Sequence, residues 1–67
     1  MNKQIAYVIE SNGTTEFFNS KGQLITNLGG KCIAYTSNSA TMLWGNRRDV
    51  FKFDLQGRTT IIRSDNV

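Results

Sequence analysis

Apolar and polar residues alternate along most of this chain in short runs separated by polar-glycine pairs. A period of two with such breaks reads as antiparallel strand. The runs predict strands near residues 3–10, 14–19, 23–28, 31–36, 40–44, 50–54 and 58–63. Between them, Asn12-Gly13 supplies the two positive-φ positions of a type I′ hairpin. Asn19-Ser20-Lys21-Gly22 and Asp54-Leu55-Gln56-Gly57 read as type I turns closed by a left-handed glycine. Over 39–45 a second reading competes, because Ser37, Asn38 or Ser39 offers a cap for a short helix through Ala40, Met42, Leu43 and Trp44, ended by Gly45-Asn46. The expected fold is all-β: an antiparallel meander of six to seven short strands, bent strongly or closed into a small barrel, as one domain over residues 1–67.

Turn geometry then sets register. With Asn12-Gly13 as a two-residue loop, Ser11 faces Thr14, Glu10 faces Thr15, Ile9 faces Glu16, Val8 faces Phe17 and Tyr7 faces Phe18. With Ser20-Lys21-Gly22 as the next loop, Phe18 faces Leu24 and Phe17 faces Ile25. Two apolar rows result, Tyr7–Phe18–Leu24 and Val8–Phe17–Ile25, and they lie on opposite sides of the sheet. One row serves as core and the other needs a cover, which makes Tyr7, Phe17, Phe18 and Leu24 the candidate self-association residues. In the C-terminal hairpin, Leu55-Gln56-Gly57 sets Asp54 opposite Arg58, Phe53 opposite Thr59, Lys52 opposite Thr60, Phe51 opposite Ile61, Val50 opposite Ile62 and Asp49 opposite Arg63. Two acid–base pairs fall into line, leaving Arg47, Arg48 and Lys52 as the expected unpaired cations.

An echo occurs at a spacing of 35 residues: Phe18-Asn19-Ser20-Lys21-Gly22-Gln23 lies over Phe53-Asp54-Leu55-Gln56-Gly57-Arg58. A three-residue hairpin loop with a terminal glycine selects this pattern, as does a duplicated strand-turn-strand unit. The second copy also resembles the aromatic-Asp-x-x-Gly-Arg signature of YD-repeat proteins, here present once, with no repeat to stack on. Leu28-Gly29-Gly30-Lys31-Cys32-Ile33-Ala34-Tyr35-Thr36, with Ser39-Ala40, is similar to the middle of the tryptophan-sensing RNA-binding attenuation proteins, short all-β chains that join into rings. The chain lacks that family's basic RNA-binding pattern, and no residue role carries over.

A chain of 67 residues buries only about 60% of the surface its unfolded form exposes, so its core needs support. Cys32 is the sole cysteine and there is no histidine, which excludes an internal disulfide and leaves poor material for zinc. Association is the remaining aid. No cofactor is expected. Met1-Asn2-Lys3-Gln4 leads straight into an alternating strand, and no apolar run is long enough for a signal peptide or membrane span; the expectation is a cytoplasmic protein without a membrane partner.

The eight Lys and Arg against five Asp and Glu give a net charge of +3, all of it in residues 31–67. Within that half, Trp44-Gly45-Asn46-Arg47-Arg48 sets an aromatic beside two guanidinium groups. With Lys52 these are the candidate binding residues for nucleic acid or another partner, since arginines bind phosphate in bidentate fashion and an indole stacks on bases. In a chain with so few large residues, Trp44 reads more readily as a core or interface anchor.

Catalysis finds little material. Cys32 sits in a strand whose Lys31 neighbour points to the other face, and Glu10 and Glu16 project from opposite sides. Gly29-Gly30-Lys31 lacks the spacing of a P-loop and reads as a loop between strands. Two functional readings follow. The first is a non-enzymatic binding module of accessory or inhibitor type that forms a homo-oligomer and engages another protein through an exposed aromatic sheet face. The alternative is single-stranded nucleic-acid binding through the basic second half.

Overall fold

A computed structural model of the chain describes residues 3–67; Met1 and Asn2, read above as leading into the first strand, lie outside them. Seven strands follow in order: β1 (Tyr7–Ser11), β2 (Thr14–Phe18), β3 (Leu24–Gly29), β4 (Lys31–Tyr35), β5 (Ser39–Trp44), β6 (Arg47–Phe53) and β7 (Thr59–Asn66). Every sequential pair within a sheet is antiparallel, with β1-β2-β3 in one sheet and β4-β5-β6-β7 in a second. The meander is therefore as expected, but β7 does not return to β1 and no closed barrel forms. Among the described residues no helix is long and apolar enough to cross a membrane.

Residues 39–44 are strand rather than helix. Ala40 and Met42 alternate inward with period two and are almost fully enclosed, while β5 is paired on both sides, so packing overrides the helix-capping signal. Beyond it the chain turns at once. Gly45 has φ +63° and Asn46 does not, the signature of a two-residue type II′ hairpin, so β6 starts at Arg47 instead of residue 50.

The first hairpin has the predicted register at all five positions, on an Asn12-Gly13 turn with φ of +53° and +76°. Elsewhere a bulge interrupts each outer pairing, and the extra residue is isoleucine each time: Ile25 in β3, Ile33 in β4 and Ile62 in β7. Phe18 still faces Leu24, but Phe17 faces Thr26 instead of Ile25, which packs against the core. In the last hairpin Phe53–Thr59, Lys52–Thr60 and Phe51–Ile61 hold, after which the bulge sets Val50 opposite Arg63 and Asp49 opposite Ser64. The expected Asp49–Arg63 pair does not form.

Chain passage between the sheets is made by one residue. Gly30, at φ +98°, is the single residue between the end of β3 and the start of β4; a side-chain carbon on it would lie 2.6 Å from the Leu43 carbonyl oxygen, so only glycine fits this corner. Its N–H donates to the Gly13 carbonyl at 2.7 Å. Its own carbonyl accepts from the hydroxyl of Thr15, a fully enclosed side chain, at 2.9 Å, and that hydroxyl accepts from the Cys32 N–H at 3.3 Å. The first hairpin is thereby tied to the start of the second sheet.

The core lies between the inner faces. Ile5 and Phe17 meet Ala40, Met42 and Phe53, with Val8, Ile25, Leu28, Cys32 and Phe51 around them. The Phe17 and Phe53 rings meet edge to face at 5.1 Å. Ile61, opposite Phe51, stays exposed, so the three-stranded sheet does not extend over β7.

The two echoing loops are one structure built twice. Asn19 Oδ1 accepts from the N–H groups of Lys21 and Gln23 at 3.0 and 2.9 Å, and Asp54 Oδ1 accepts from those of Gln56 and Arg58, both at 2.9 Å. Gly22 and Gly57 close them at φ +79° and +82°. An Asx residue plus a left-handed glycine accounts for the shared pattern through turn chemistry.

Candidate functional site

The Trp44 hairpin is a strand end, not a loose loop, and this splits the residues it carries. Alternation places Trp44 and Arg47, which face each other, on the inner side of the second sheet, and Arg48 and Lys52 on the outer side. The indole is 60% exposed yet anchored: it lies against the backbone of the corner, where a side-chain carbon on Gly29 would come within 2.8 Å of the ring. Trp44 thus covers the Gly29-Gly30 corner with one face and offers the other to solvent.

The two arginines expected to be unpaired both have carboxylate partners. Arg47 Nε donates to Asp49 Oδ1 at 2.9 Å, and the Ser64 hydroxyl donates to the same oxygen at 2.6 Å. Ser64 first, and then Arg47, holds the Asp49 carboxyl below the usual carboxylate range. Arg48 approaches Asp65 Oδ2 at 3.7 Å, an oxygen it shares with Arg63 Nε at 2.9 Å. Lys52, between Ser39 and Thr60, enters no ion pair among the described residues. Trp44, Arg47, Arg48 and Lys52 therefore do not converge on one ligand.

The second candidate set divides along the line drawn by the register. Phe17 is fully enclosed in the core and is not available to a partner. Tyr7, Phe18 and Leu24 share the outer face of β1-β2-β3, where the Tyr7 and Phe18 rings stack at 5.0 Å and 8°. Ile9, which faces Glu16, belongs to this same face and is 48% exposed, as is Leu24. The pairing of Ile9 with Glu16 already placed it beside Tyr7, so it was recognisable from the turn.

Reactive groups remain scattered. Cys32 donates its S–H to the Ala34 carbonyl at 3.3 Å, and burial raises its thiol pKa, which weakens it as a nucleophile. Lys31 faces Leu43 on the outer side while Cys32 faces Met42 on the inner. Glu10 and Glu16 likewise stand on opposite faces. The Arg58 N–H, followed by the Gln56 N–H and the Arg58 guanidinium, lowers the Asp54 pKa, and this carboxylate is committed to its turn. Among the described residues no group of His, Cys, Asp and Glu is arranged to hold a metal ion.

Comparison with protein-family models, curated proteins and solved structures finds no match to this chain.

Proposed function

We propose that this protein is a small non-enzymatic binding module that forms homo-oligomers and engages another protein through the outer face of β1-β2-β3. The observation that carries the proposal is the Tyr7–Phe18 stack, an ordered aromatic pair on the surface, flanked on the same face by half-exposed Ile9 and Leu24. Stacked rings present a flat, rigid apolar surface that loses little conformational freedom when covered. The inner row is already used by the chain's own core, and among the described residues nothing encloses this second row: Tyr7, Ile9 and Leu24 stay exposed.

Size sets the strength. Three strands, two of five residues and one of six, span roughly 14 Å by 17–20 Å, on the order of 250 Å² in projection. A stable interface buries about 800 Å² on each partner. Self-association through this face alone is therefore weak, which leaves the face open to exchange for a heterologous partner.

The test is the pair Leu24→Lys and Ile9→Lys, with the parent, in sedimentation equilibrium and circular dichroism. Both substitutions sit at exposed positions and should keep the fold while abolishing the oligomer. If both variants associate like the parent, while Ile62→Lys on the uncovered edge strand β7 dissociates it, the interface lies on β7 and the proposal fails.

A further inference from the structure

The net charge of +3 is not spread over the molecule. Cross-sheet rows on the outer face of β4–β7 run Lys31–Leu43–Arg48–Asp65, then Ala34–Thr41–Val50–Arg63, then Ser39–Lys52–Thr60. Four cations, Lys31, Arg48, Lys52 and Arg63, thus share one face with a single carboxylate, Asp65. Every other charge cancels, with Lys3, Lys21, Arg47 and Arg58 against Glu10, Glu16, Asp49 and Asp54. The whole excess of the protein lies on this face.

The Ile62 bulge creates this arrangement. Without it Arg63 would face Asp49 on the inner side; the extra residue turns Arg63 outward beside Val50 and leaves it 70% exposed. Arg48 and Arg63 then border a shallow depression of about 320 Å³ with Thr41 in its lining. The two arginines must share one Asp65 oxygen, and Lys31 and Lys52 enter no ion pair among the described residues.

We infer that this face binds the phosphate backbone of a nucleic-acid duplex without regard to sequence. Charge complementarity and dimensions support it. Backbone positions of Lys31 and Arg48 are about 10 Å apart across the strands, and those of Arg48 and Lys52 about 13 Å apart along one strand. A duplex carries one phosphate charge for about every 1.7 Å of axis, so a patch of this span meets several at once. Ser39, Thr41 and Thr60 are interleaved with the cations, and hydroxyls add neutral contacts to phosphate and sugar. The aromatic residues of β4–β6 face the other way: Tyr35 and Phe51 are aligned with Ala40, and Phe53 is in the core. With no ring to stack on a base, backbone contact to a duplex is favoured over a splayed single strand. This inference uses a different sheet from the proposed protein-binding face, and neither depends on the other.

The test is a fluorescence-anisotropy titration of a short labelled DNA duplex across a series of salt concentrations, beginning at low salt. Four phosphate contacts predict a log–log slope of about −3.6. Lys31→Gln with Lys52→Gln should reduce its magnitude by about 1.8. Lys21→Glu, which removes the same two units of charge at a turn of the other sheet, should leave the slope unchanged. Asp65→Asn releases both arginines and should tighten binding. The inference is overturned if the parent does not bind duplex at low salt, or if Lys21→Glu weakens binding as much as the double substitution. It is also overturned if Asp65→Asn brings no gain, if a single strand binds more tightly than the duplex, or if only anionic lipid vesicles are bound.

Discussion

Thr15→Val is the substitution on which propensity and structure disagree most clearly. Valine matches threonine in shape and is an equally good strand former, so a view based on propensity and burial expects no loss, or a small gain. The structure expects a substantial loss. The Thr15 hydroxyl is fully enclosed, donates to the Gly30 carbonyl at 2.9 Å and accepts from the Cys32 N–H at 3.3 Å. Valine leaves the corner carbonyl without this donor, a cost of about 1–3 kcal/mol, and loss of the longer Cys32 contact adds up to about 1 kcal/mol. The whole domain is worth only about 3–10 kcal/mol at its length, so the change removes a large share of its stability. With a urea m-value near 1 kcal/mol/M for so small a chain, the unfolding midpoint should fall by about 1–4 M. Urea titration followed by circular dichroism and Trp44 fluorescence measures it. Thr15→Ser, which keeps the hydroxyl and loses a methyl group, should cost only about 1 kcal/mol from burial. A Thr15→Val midpoint within error of the parent would refute the view that this hydroxyl holds the two sheets together.

Other consequences are open to the same assay. Gly30→Ala combines a positive φ with a 2.6 Å approach to the Leu43 carbonyl and should cost about 2–4 kcal/mol, whereas Gly13→Ala, with positive φ but open space around it, should cost about 1 kcal/mol. Phe17→Ala should lose about 3–5 kcal/mol and unfold the chain, while Phe18→Ala should remain folded by circular dichroism. Asp49 contributes to pH dependence with a definite sign. Its folded pKa is depressed, chiefly by Ser64, so its stabilisation is fully present above the unfolded value near about 4 and is lost as pH falls through the folded value. Asp49→Asn should accordingly flatten the acid side of the stability profile below about pH 4, which acid titration by circular dichroism will show.

Turn chemistry made much of the fold legible. Asn12-Gly13 specified a backbone that only one hairpin register satisfies, and all five predicted pairs stand. Leu24 opposite Phe18 and Thr59 opposite Phe53 follow from their loops in the same way. Legibility stops at the isoleucine bulges. Ile25, Ile33 and Ile62 fit unbulged strands by propensity, and the extra residue is accommodated through three-dimensional sheet curvature and packing, which a period of two does not encode. One such slip reverses a face, which is why Arg63 seemed committed to Asp49 and proves to stand beside Arg48. The Gly45-Asn46 turn misled differently. Lacking a second positive-φ residue it resembled a helix stop or an open loop, yet glycine at the first position is what a type II′ hairpin requires. The adjacent arginines then fall on opposite faces, and the apparent Trp-Arg-Arg site separates into an indole against the Gly29-Gly30 corner, a paired Arg47 and an outward Arg48.

The most direct test of the proposed association is light scattering of the parent protein from low to high micromolar concentration, run alongside Phe18→Ala and Leu24→Lys. A molar mass that rises with concentration in the parent, and stays at 7.5 kDa in both folded variants, is the expected result. A parent that stays monomeric throughout would contradict it, because the stacked Tyr7–Phe18 face would then be stable in water without any cover.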